Sequence, residues 1–169
     1  MNNYLILDSR YDEIGGAEIA DFIEQIDNDF NYPIKDRPGF LSYCTLAKKF
    51  LDNGIVLFCR EKRKLTAVTV IYADPKQYIY AYIPFTGIEK SSRGTGIIQA
   101  LMNRRKELCK KIGMKGVLSS CSVKNQKMIS ILESAGYTRI TNEREIGRIK
   151  QWNPKDNWKK AFSLLMFEK

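Results

Sequence analysis

The 169-residue sequence contains no histidine. Histidine is the commonest general base and the commonest metal ligand near neutral pH, so a Ser-His-Asp triad and a His-rich zinc site are excluded. Cysteine is also sparse, with four residues that form no C-x-x-C pair, which argues against a zinc clamp or a dithiol redox site. We expect Cys44, Cys59, Cys109 and Cys121 to be buried thiols in a reducing cytoplasm, and we expect no bound metal.

Long apolar runs are missing as well. The longest apolar stretches, such as residues 67–73, have the length of a strand rather than of a membrane span. The N-terminal segment reaches acidic residues before any run long enough for a signal peptide. We therefore expect no membrane partner. The composition that remains, 44% hydrophobic and 28% charged, is typical of one globular domain with a substantial core.

The two signs of charge are unevenly distributed along the chain. The formal net charge is +9, yet residues 1–40 contain nine acidic and three basic residues, a net −6, which leaves +15 for the rest. A basic body suits a polyanion such as a nucleic acid or a phosphorylated cofactor, and an acidic front suits a cationic substrate. Simple solvation of a soluble surface explains the same pattern.

The spacing of apolar residues predicts helices and strands in alternation. Two helices come first, over 16–30 and 41–51, and three strands follow over 54–60, 65–73 and 77–88. A helix over 96–112 has Arg104, Arg105, Lys106, Lys110 and Lys111 on its polar face; a strand over 115–122, a helix over 125–135 and strands over 137–141 and 161–167 complete the series. The order indicates an α/β domain, more closely α+β, with antiparallel strands at the front.

One loop carries the chemistry. The segment IEKSSRGTGII, residues 88–98, places two glycines between the end of a strand and the start of a basic helix. Glycines allow backbone N–H groups to approach a phosphate, and the helix N-terminus adds unsatisfied donors and a favourable dipole. The segment matches neither a dinucleotide-binding fingerprint nor a P-loop, and by itself it equally fits a turn with a helix cap.

Its context adds a resemblance. Residues 93–98 resemble motif A, R-x-x-G-x-G/A, of the GNAT superfamily of acyl-CoA N-acyltransferases, and residues 125–137 are similar to its second signature, an asparagine, a short helix and Gly-Tyr. The resemblance implies a single GNAT-like domain with a mixed central sheet of about six to seven strands, splayed at the cofactor site, and about four helices. It implies that residues 1–53 cover the substrate, 54–141 bind the cofactor, and 142–169 form a C-terminal loop and the last strand.

The resemblance also implies the cofactor, acetyl-CoA, and the residues that bind it. The pyrophosphate would bind the backbone of the loop formed by Arg93, Gly94, Thr95, Gly96, Ile97 and Ile98. The pantetheine arm would pair with the strand end from Phe85 to Ile88, where Pro84 would mark the splay because it has no N–H to lose from the ladder. Asn125 would lie beside the pantetheine, although its side chain equally suits a plain helix N-cap.

Two positions depart from the family pattern. Ile98 stands where the motif has glycine or alanine, and its branched side chain crowds the loop. Leu132 aligns with the tyrosine that often protonates the departing thiolate, so a water or a nearby Tyr, Ser or Cys would have to replace it. Without histidine, the base must be a carboxylate, a tyrosine or a water relay; the local candidates are Glu89, Tyr80 and Tyr82.

The sequence thus predicts a cytoplasmic N-acetyltransferase that transfers an acetyl group from acetyl-CoA to a primary amine of a small molecule or peptide by direct attack. The acidic front helices suit an amine, a polyamine or a basic peptide, whereas the basic stretch 144–160, with Trp152 and Trp158, suits an acidic or phosphorylated acceptor. A GNAT-fold protein that binds CoA with little transfer is the first alternative, and a nucleic-acid-binding module, which we do not expect, is the second. A homodimer is left open.

Overall fold

The computed structural model describes residues 3–142, 144 and 160–167. The front of the chain forms β1 (Leu7–Asp8), α1 (Gly16–Ile26), two short 3-10 turns (Asp27–Asp29 and Ile34–Asp36) and α2 (Tyr43–Asn53). The middle forms β2 (Ile55–Glu61), β3 (Lys64–Tyr72), β4 (Tyr80–Ile88), a 3-10 turn (Lys90–Ser92) and α3 (Ile97–Ile112). The remaining elements are β5 (Gly116–Ser122), α4 (Gln126–Ser134), β6 (Thr138–Ile140) and β7 (Lys160–Met166).

All seven of these strands belong to one sheet, in the order β1-β2-β3-β4-β5-β7-β6. The β4–β5 pair is parallel and the other pairs are antiparallel. The predicted α/β fold, a mixed sheet of six to seven strands with four helices, is therefore confirmed for the described residues.

The helices cover both faces of the sheet. On one face α1 and α2 pack Ile19, Phe22 and Phe50 against the strands, and on the other α3 and α4 pack Leu101 and Leu132. Strand β3 is buried on both sides, which explains why residues 65–72 form an almost continuous apolar run rather than an alternating one. Helices α1 and α3 each bury one side against the sheet, in agreement with the amphipathic spacing that the sequence predicts.

The prediction for Arg105 is wrong. The sequence places this residue on the solvent-facing basic side of α3, whereas its side chain is 0% exposed. Arg105 lies one turn after Leu101 and one turn before Leu108 and Cys109, so helical periodicity directs it to the buried stripe. In the sequence, Arg105 is grouped with four other basic residues of the helix and is therefore assigned to the polar side.

Smaller differences have local causes. Strand β1, which the sequence does not predict, is only two residues long and pairs with Phe58 and Leu57. Strand β4 begins at Tyr80 rather than at residue 77, because the Asp74 carbonyl accepts hydrogen bonds from the Gln77 and Tyr78 N–H groups and forms a turn. Helix α1 ends at Ile26 rather than Phe30, and the chain continues as a 3-10 turn.

The cysteines are only partly as expected. Cys59 and Cys109 are buried and Cys121 is half-buried, but Cys44 is exposed because it lies on the polar side of the first turn of α2. All four are free thiols. In the described part of the chain no helix is long and apolar enough to cross a membrane, and no cluster of three or more metal-ligand side chains occurs.

Candidate functional site

Strands β4 and β5 separate half-way along their length. They pair in parallel from Tyr80 with Gly116 to Ile83 with Ser119, and the pairing stops there. The next residue, Pro84, also lies at a bulge toward β3, where the register shifts between Val70 and Tyr72. Because proline has no N–H, this break loses no ladder hydrogen bond at that position. The sequence prediction that Pro84 marks the splay is confirmed.

The separation opens a cavity of about 260 Å³, which we call the splay cleft. One wall is β4 beyond the splay together with the loop before α3; the other is the end of β5 together with α4. Lining residues from these walls include Phe85, Thr86, Ile88, Ser120, Asn125 and Met128. Of the predicted cofactor-binding residues, Phe85, Ile88, Arg93, Gly94, Ile97, Ile98 and Asn125 line the cleft, whereas Thr95 and Gly96 do not.

The glycine loop has the conformation that a helix N-terminal anion site needs. Gly94 and Gly96 have φ angles of 75° and 89°, in the left-handed region that side-chain-bearing residues avoid. The first α3 hydrogen bond runs from the Ala100 N–H to the Gly96 carbonyl at 3.2 Å. The N–H groups of the first turn therefore have no partner within the helix, and Ile97 and Ile98, which carry two of them, line the splay cleft.

Arg93 is already engaged at the rim of this cleft. Its Nε donates to the Ile88 carbonyl at 3.0 Å, and its Nη2 forms an ion pair with Asp29 at 2.8 Å. Both members of the pair are more than one-third exposed, so solvent screening makes the interaction weak and easily exchanged for an anionic ligand. Thr95 closes the turn by donating to the Ser92 carbonyl at 2.6 Å, and Tyr4 donates to the Thr95 carbonyl at 2.7 Å.

Asn125 caps α4. Its side-chain oxygen accepts a hydrogen bond from the Met128 N–H at 3.0 Å, the geometry of a helix N-cap. The same residue lines the splay cleft. The capping role is therefore seen directly, at a position that also lines the splay cleft.

A second and larger cavity, about 1030 Å³, lies beside the first. We call it the wide cleft; it is lined by α2, the chain before α2, the end of β3 and the start of β4. Four residues line both cavities: Ile34, Arg37, Pro84 and Lys160. The two clefts therefore meet at the splay.

A hydrogen bond crosses from one cleft to the other. Tyr82, which lines the wide cleft, lies 3.1 Å through its hydroxyl from the Ser120 hydroxyl, which belongs to the splay cleft. Burial raises the pKa of Tyr82, and the smaller opposing effects of Ser120 and Arg37 do not reverse this. The phenol therefore keeps its proton at neutral pH and is suited to pass a proton rather than to act as a free base.

Solved structures share this architecture along nearly the whole chain. A GNAT-family acetyltransferase from Staphylococcus aureus is 16% identical at a TM-score of 0.71, with 95% of this chain and 99% of that one covered. A Bacillus subtilis acetyltransferase in complex with CoA is 15% identical at a TM-score of 0.67, with 98% of this chain and 100% of that one covered. The structure of yncA from Salmonella typhimurium with acetyl-CoA is 14% identical at a TM-score of 0.66, with 97% of this chain and 95% of that one covered. The chain has the GNAT fold. No protein-family model and no curated protein matches the sequence.

The GNAT fold does not bring all three predicted catalytic residues to the clefts. Tyr82 lies at their junction, whereas Glu89 and Tyr80 line neither cavity. Glu89 is half-buried, and its backbone N–H donates a hydrogen bond to the Thr66 carbonyl at 2.8 Å. Tyr80 lies at the start of β4, opposite Gly116 of β5. The sequence does not single out Ser120, because nothing within β5 distinguishes it from the serines beside it.

Two further residues limit the chemistry of this GNAT-fold site. Leu132 is fully buried among the residues under α4 and offers no proton donor. Cys121 lines the splay cleft, but burial raises the pKa of its thiol to about 11, against a smaller opposing effect of Arg139. A thiol with this pKa is almost wholly protonated at neutral pH and is a poor nucleophile. The basic stretch predicted over 144–160, with both tryptophans, lies outside the described residues except for its two ends.

Proposed function

We propose that this chain is an N-acetyltransferase that transfers an acetyl group from acetyl-CoA to a primary amine of a small molecule or peptide. The observation that carries the proposal is the opening of the β4–β5 splay onto the glycine-bounded N-terminus of α3. That combination offers backbone donors for a phosphate at one end and a gap in the sheet for an extended arm. The CoA and acetyl-CoA bound to neighbours of the same fold support the same reading.

The residues of the splay cleft fit this cofactor. The backbone N–H groups of Ile97 and Ile98 are available to the pyrophosphate, because a backbone N–H can donate whatever the side chain of its residue. Arg93 adds a positive charge, and a phosphate can replace Asp29 as the partner of its guanidinium. The β4 edge from Phe85 to Ile88, unpaired on the β5 side, is available to the amides of the pantetheine arm. Acetyl-CoA supplies an acyl group that is already activated as a thioester.

The wide cleft is the proposed site of the acceptor amine. Its charged lining residues are of both signs: the basic ones are Arg37, Lys49 and Lys160, and the acidic ones are Asp52 and Asp74. None of the nine acidic residues of the first forty lines either cleft. Several instead hold the structure together, as Glu18 does with Arg60 and Asp8 with Arg10. This composition supports a single amine on a molecule of mixed polarity over a polyamine.

Direct attack by the amine suits the groups at the junction. Transfer requires the amine to lose a proton and the departing sulfur to gain one, and the hydrogen-bonded hydroxyls of Tyr82 and Ser120 connect the two sides. Each hydroxyl can accept one proton while it donates another, so the pair ends the transfer unchanged. Cys121, protonated by its burial, is a poor candidate for an acyl-enzyme route.

Thermal unfolding with acetyl-CoA tests the proposed cofactor site. A native-state ligand at a hundredfold excess over its Kd stabilises by about 2.7 kcal/mol, which corresponds to a rise in Tm of about 5–10 °C for a chain of this size. We expect Gly96→Glu to abolish that rise, since it introduces a negative charge and a strained φ at the anion site. Gly113→Glu is the matched control, because Gly113 has a φ of 102° at the other end of the same helix. The control should melt earlier but keep the shift; loss of the shift in both variants would mean that strain alone is responsible.

Acetyl transfer itself is tested by CoA thiol release with a panel of primary amines. Release with at least one amine supports a transferase. A concentration-dependent rise in Tm without release from any amine would favour the alternative of a CoA-binding protein with little transfer. The observation behind this alternative is that Leu132, which is buried, has no proton to donate to the departing thiolate. No rise, with salt-sensitive affinity for generic DNA or RNA, would favour the nucleic-acid alternative.

A further inference from the structure

Arg105 is the largest fully buried side chain of the described residues, and its charge is poorly matched by its surroundings. Its Nη1 donates to the Thr86 hydroxyl at 3.4 Å and its Nη2 to the Tyr137 hydroxyl at 3.3 Å, both longer than ordinary N–H···O bonds. The guanidinium also lies 6.0 Å from the centre of the Tyr137 ring. Its Nε is buried without a hydrogen-bond partner.

The described residues provide no counter-ion for this cation. None of their ion pairs involves Arg105, so no carboxylate oxygen of the described part of the chain lies within 4.0 Å of its nitrogens. Removing a charge from water is costly unless an opposite charge or a full set of hydrogen bonds compensates it. Neutral hydroxyls at long distances compensate it poorly. The ligand-free protein therefore holds a positive charge that is under-compensated.

The Arg105 guanidinium lies next to the walls of the splay cleft. Thr86 belongs to β4 and lines the splay cleft, while Tyr137 lies three residues after the end of α4 and donates its N–H to the Leu132 carbonyl at 3.0 Å. The guanidinium thus joins one wall of the cleft to the end of the other. A charge behind the wall of a cleft, away from water, is screened less than one on the surface and acts on a ligand over a longer range.

We propose that Arg105 is a positioning residue whose buried charge favours an anionic, phosphate-bearing ligand in the splay cleft, and that the ligand's negative charge compensates it. The inference rests on the proposed function for the identity of that ligand. It gives a reason for a charged residue at this buried position of α3, where an apolar side chain of similar length would occupy the same space.

The substitution Arg105→Met separates this role from a purely structural one. Replacing an under-compensated buried charge by an apolar side chain of similar shape is neutral or stabilising, so the ligand-free Tm should stay level or rise by about 2–4 °C. The Kd for CoA should rise about tenfold, or about 1.4 kcal/mol. The Kd for pantetheine, the uncharged arm of the same molecule, should change less than about twofold. Titration calorimetry or competition measures both.

Two further variants control for charge and for helix packing. Arg105→Lys keeps the charge and should keep the affinity for CoA within about threefold of the unchanged protein. Arg104→Met removes the same charge one residue earlier, where the side chain is 43% exposed, and should leave both ligand affinities within about twofold.

Two results for the Arg105→Met variant would overturn the proposed role of the buried charge. A Met variant that melts several degrees lower or fails to fold would show that the protein already compensates the charge, which overturns the proposal. Equal losses of affinity for CoA and for pantetheine would show that Arg105 only braces the walls, and would overturn it as well. If the unchanged protein binds no CoA, the proposed function fails, and the ligand-free Tm of the Met variant still tests whether the charge is under-compensated.

Discussion

Replacing Asp27 with alanine is expected to lower the free energy of unfolding by about 3–5 kcal/mol. Asp27 is 1% exposed, and its carboxylate accepts three hydrogen bonds, from the N–H of Ile34 at 2.6 Å, the N–H of Lys35 at 3.1 Å and the hydroxyl of Tyr43 at 2.6 Å. Alanine leaves these donors without an acceptor. Urea unfolding measures the change in the free energy of unfolding.

A neighbouring acidic residue provides the control for this experiment. Asp21 carries the same charge on the exposed side of α1, so Asp21→Ala should change the free energy of unfolding by less than about 0.5 kcal/mol. Equal losses in the two variants would mean that net charge, rather than the buried hydrogen bonds, sets the effect. Burial raises the pKa of Tyr43 to about 12, with a further contribution from Asp27, so this phenol is protonated and can donate at neutral pH.

The same carboxylate has a functional consequence. Asp27 holds the 3-10 turn that begins at Ile34, and both Ile34 and Arg37 line the splay cleft and the wide cleft. Arg37 is fixed further through its Nη2 on the Tyr32 carbonyl at 2.8 Å. The segment that lines both clefts is therefore positioned by one buried acidic residue, which the sequence presents only as part of an acidic front.

Tyr82→Phe is expected to lower kcat by about 100-fold with little change in the affinity for acetyl-CoA. The phenol hydroxyl is the only part removed, so the packing of the ring under α1 and α2 is retained. Ser120→Ala should have a similar effect, and the double variant should lose little more than either single one, because the two hydroxyls act as a unit. Steady-state kinetics and titration with acetyl-CoA measure the two quantities.

Tyr80→Phe distinguishes the two tyrosine candidates of β4. Tyr80 lies two residues earlier on the strand and lines neither cleft, so we expect its kcat to stay within about twofold. A larger loss for Tyr80→Phe than for Tyr82→Phe would contradict the proton path through Ser120. Since burial raises the pKa of Tyr82 above its ordinary value of 10, loss of the phenol proton should not reduce kcat at any pH below about 10.

The features that the sequence predicts correctly depend on short segments. The glycine loop, the amphipathic α3 and the break at Pro84 each follow from fewer than about 20 consecutive residues, where backbone preferences and periodicity act directly. The order of the main elements follows for the same reason, although the end of α1 and the start of β4 differ from the prediction, and the family resemblance then supplies the sheet. Among the described strands, the two-residue β1 is too short to leave a periodic signal.

The features that the sequence misses depend on residues far apart in the chain. Tyr82 and Ser120 are 38 residues apart and meet only because β4 and β5 pair in parallel at the register of Tyr82 with Leu118. Thr86 and Arg105 meet across 19 residues through the packing of α3 on the sheet. Composition and spacing do not specify such contacts, so the sequence leaves Glu89, Tyr80 and Tyr82 as equal candidates and places Arg105 in solvent.

The shared border of the two clefts bears on the order of events in catalysis. Because Arg37 and Pro84 line both cavities, the proposed donor and acceptor sites adjoin, and we expect both substrates to bind at the same time. Initial rates measured at several fixed concentrations of each substrate should then give intersecting double-reciprocal lines, the pattern of a ternary complex. Parallel lines would instead require an acyl group stored on the protein between two half-reactions, with Cys121 the nearest thiol to carry it.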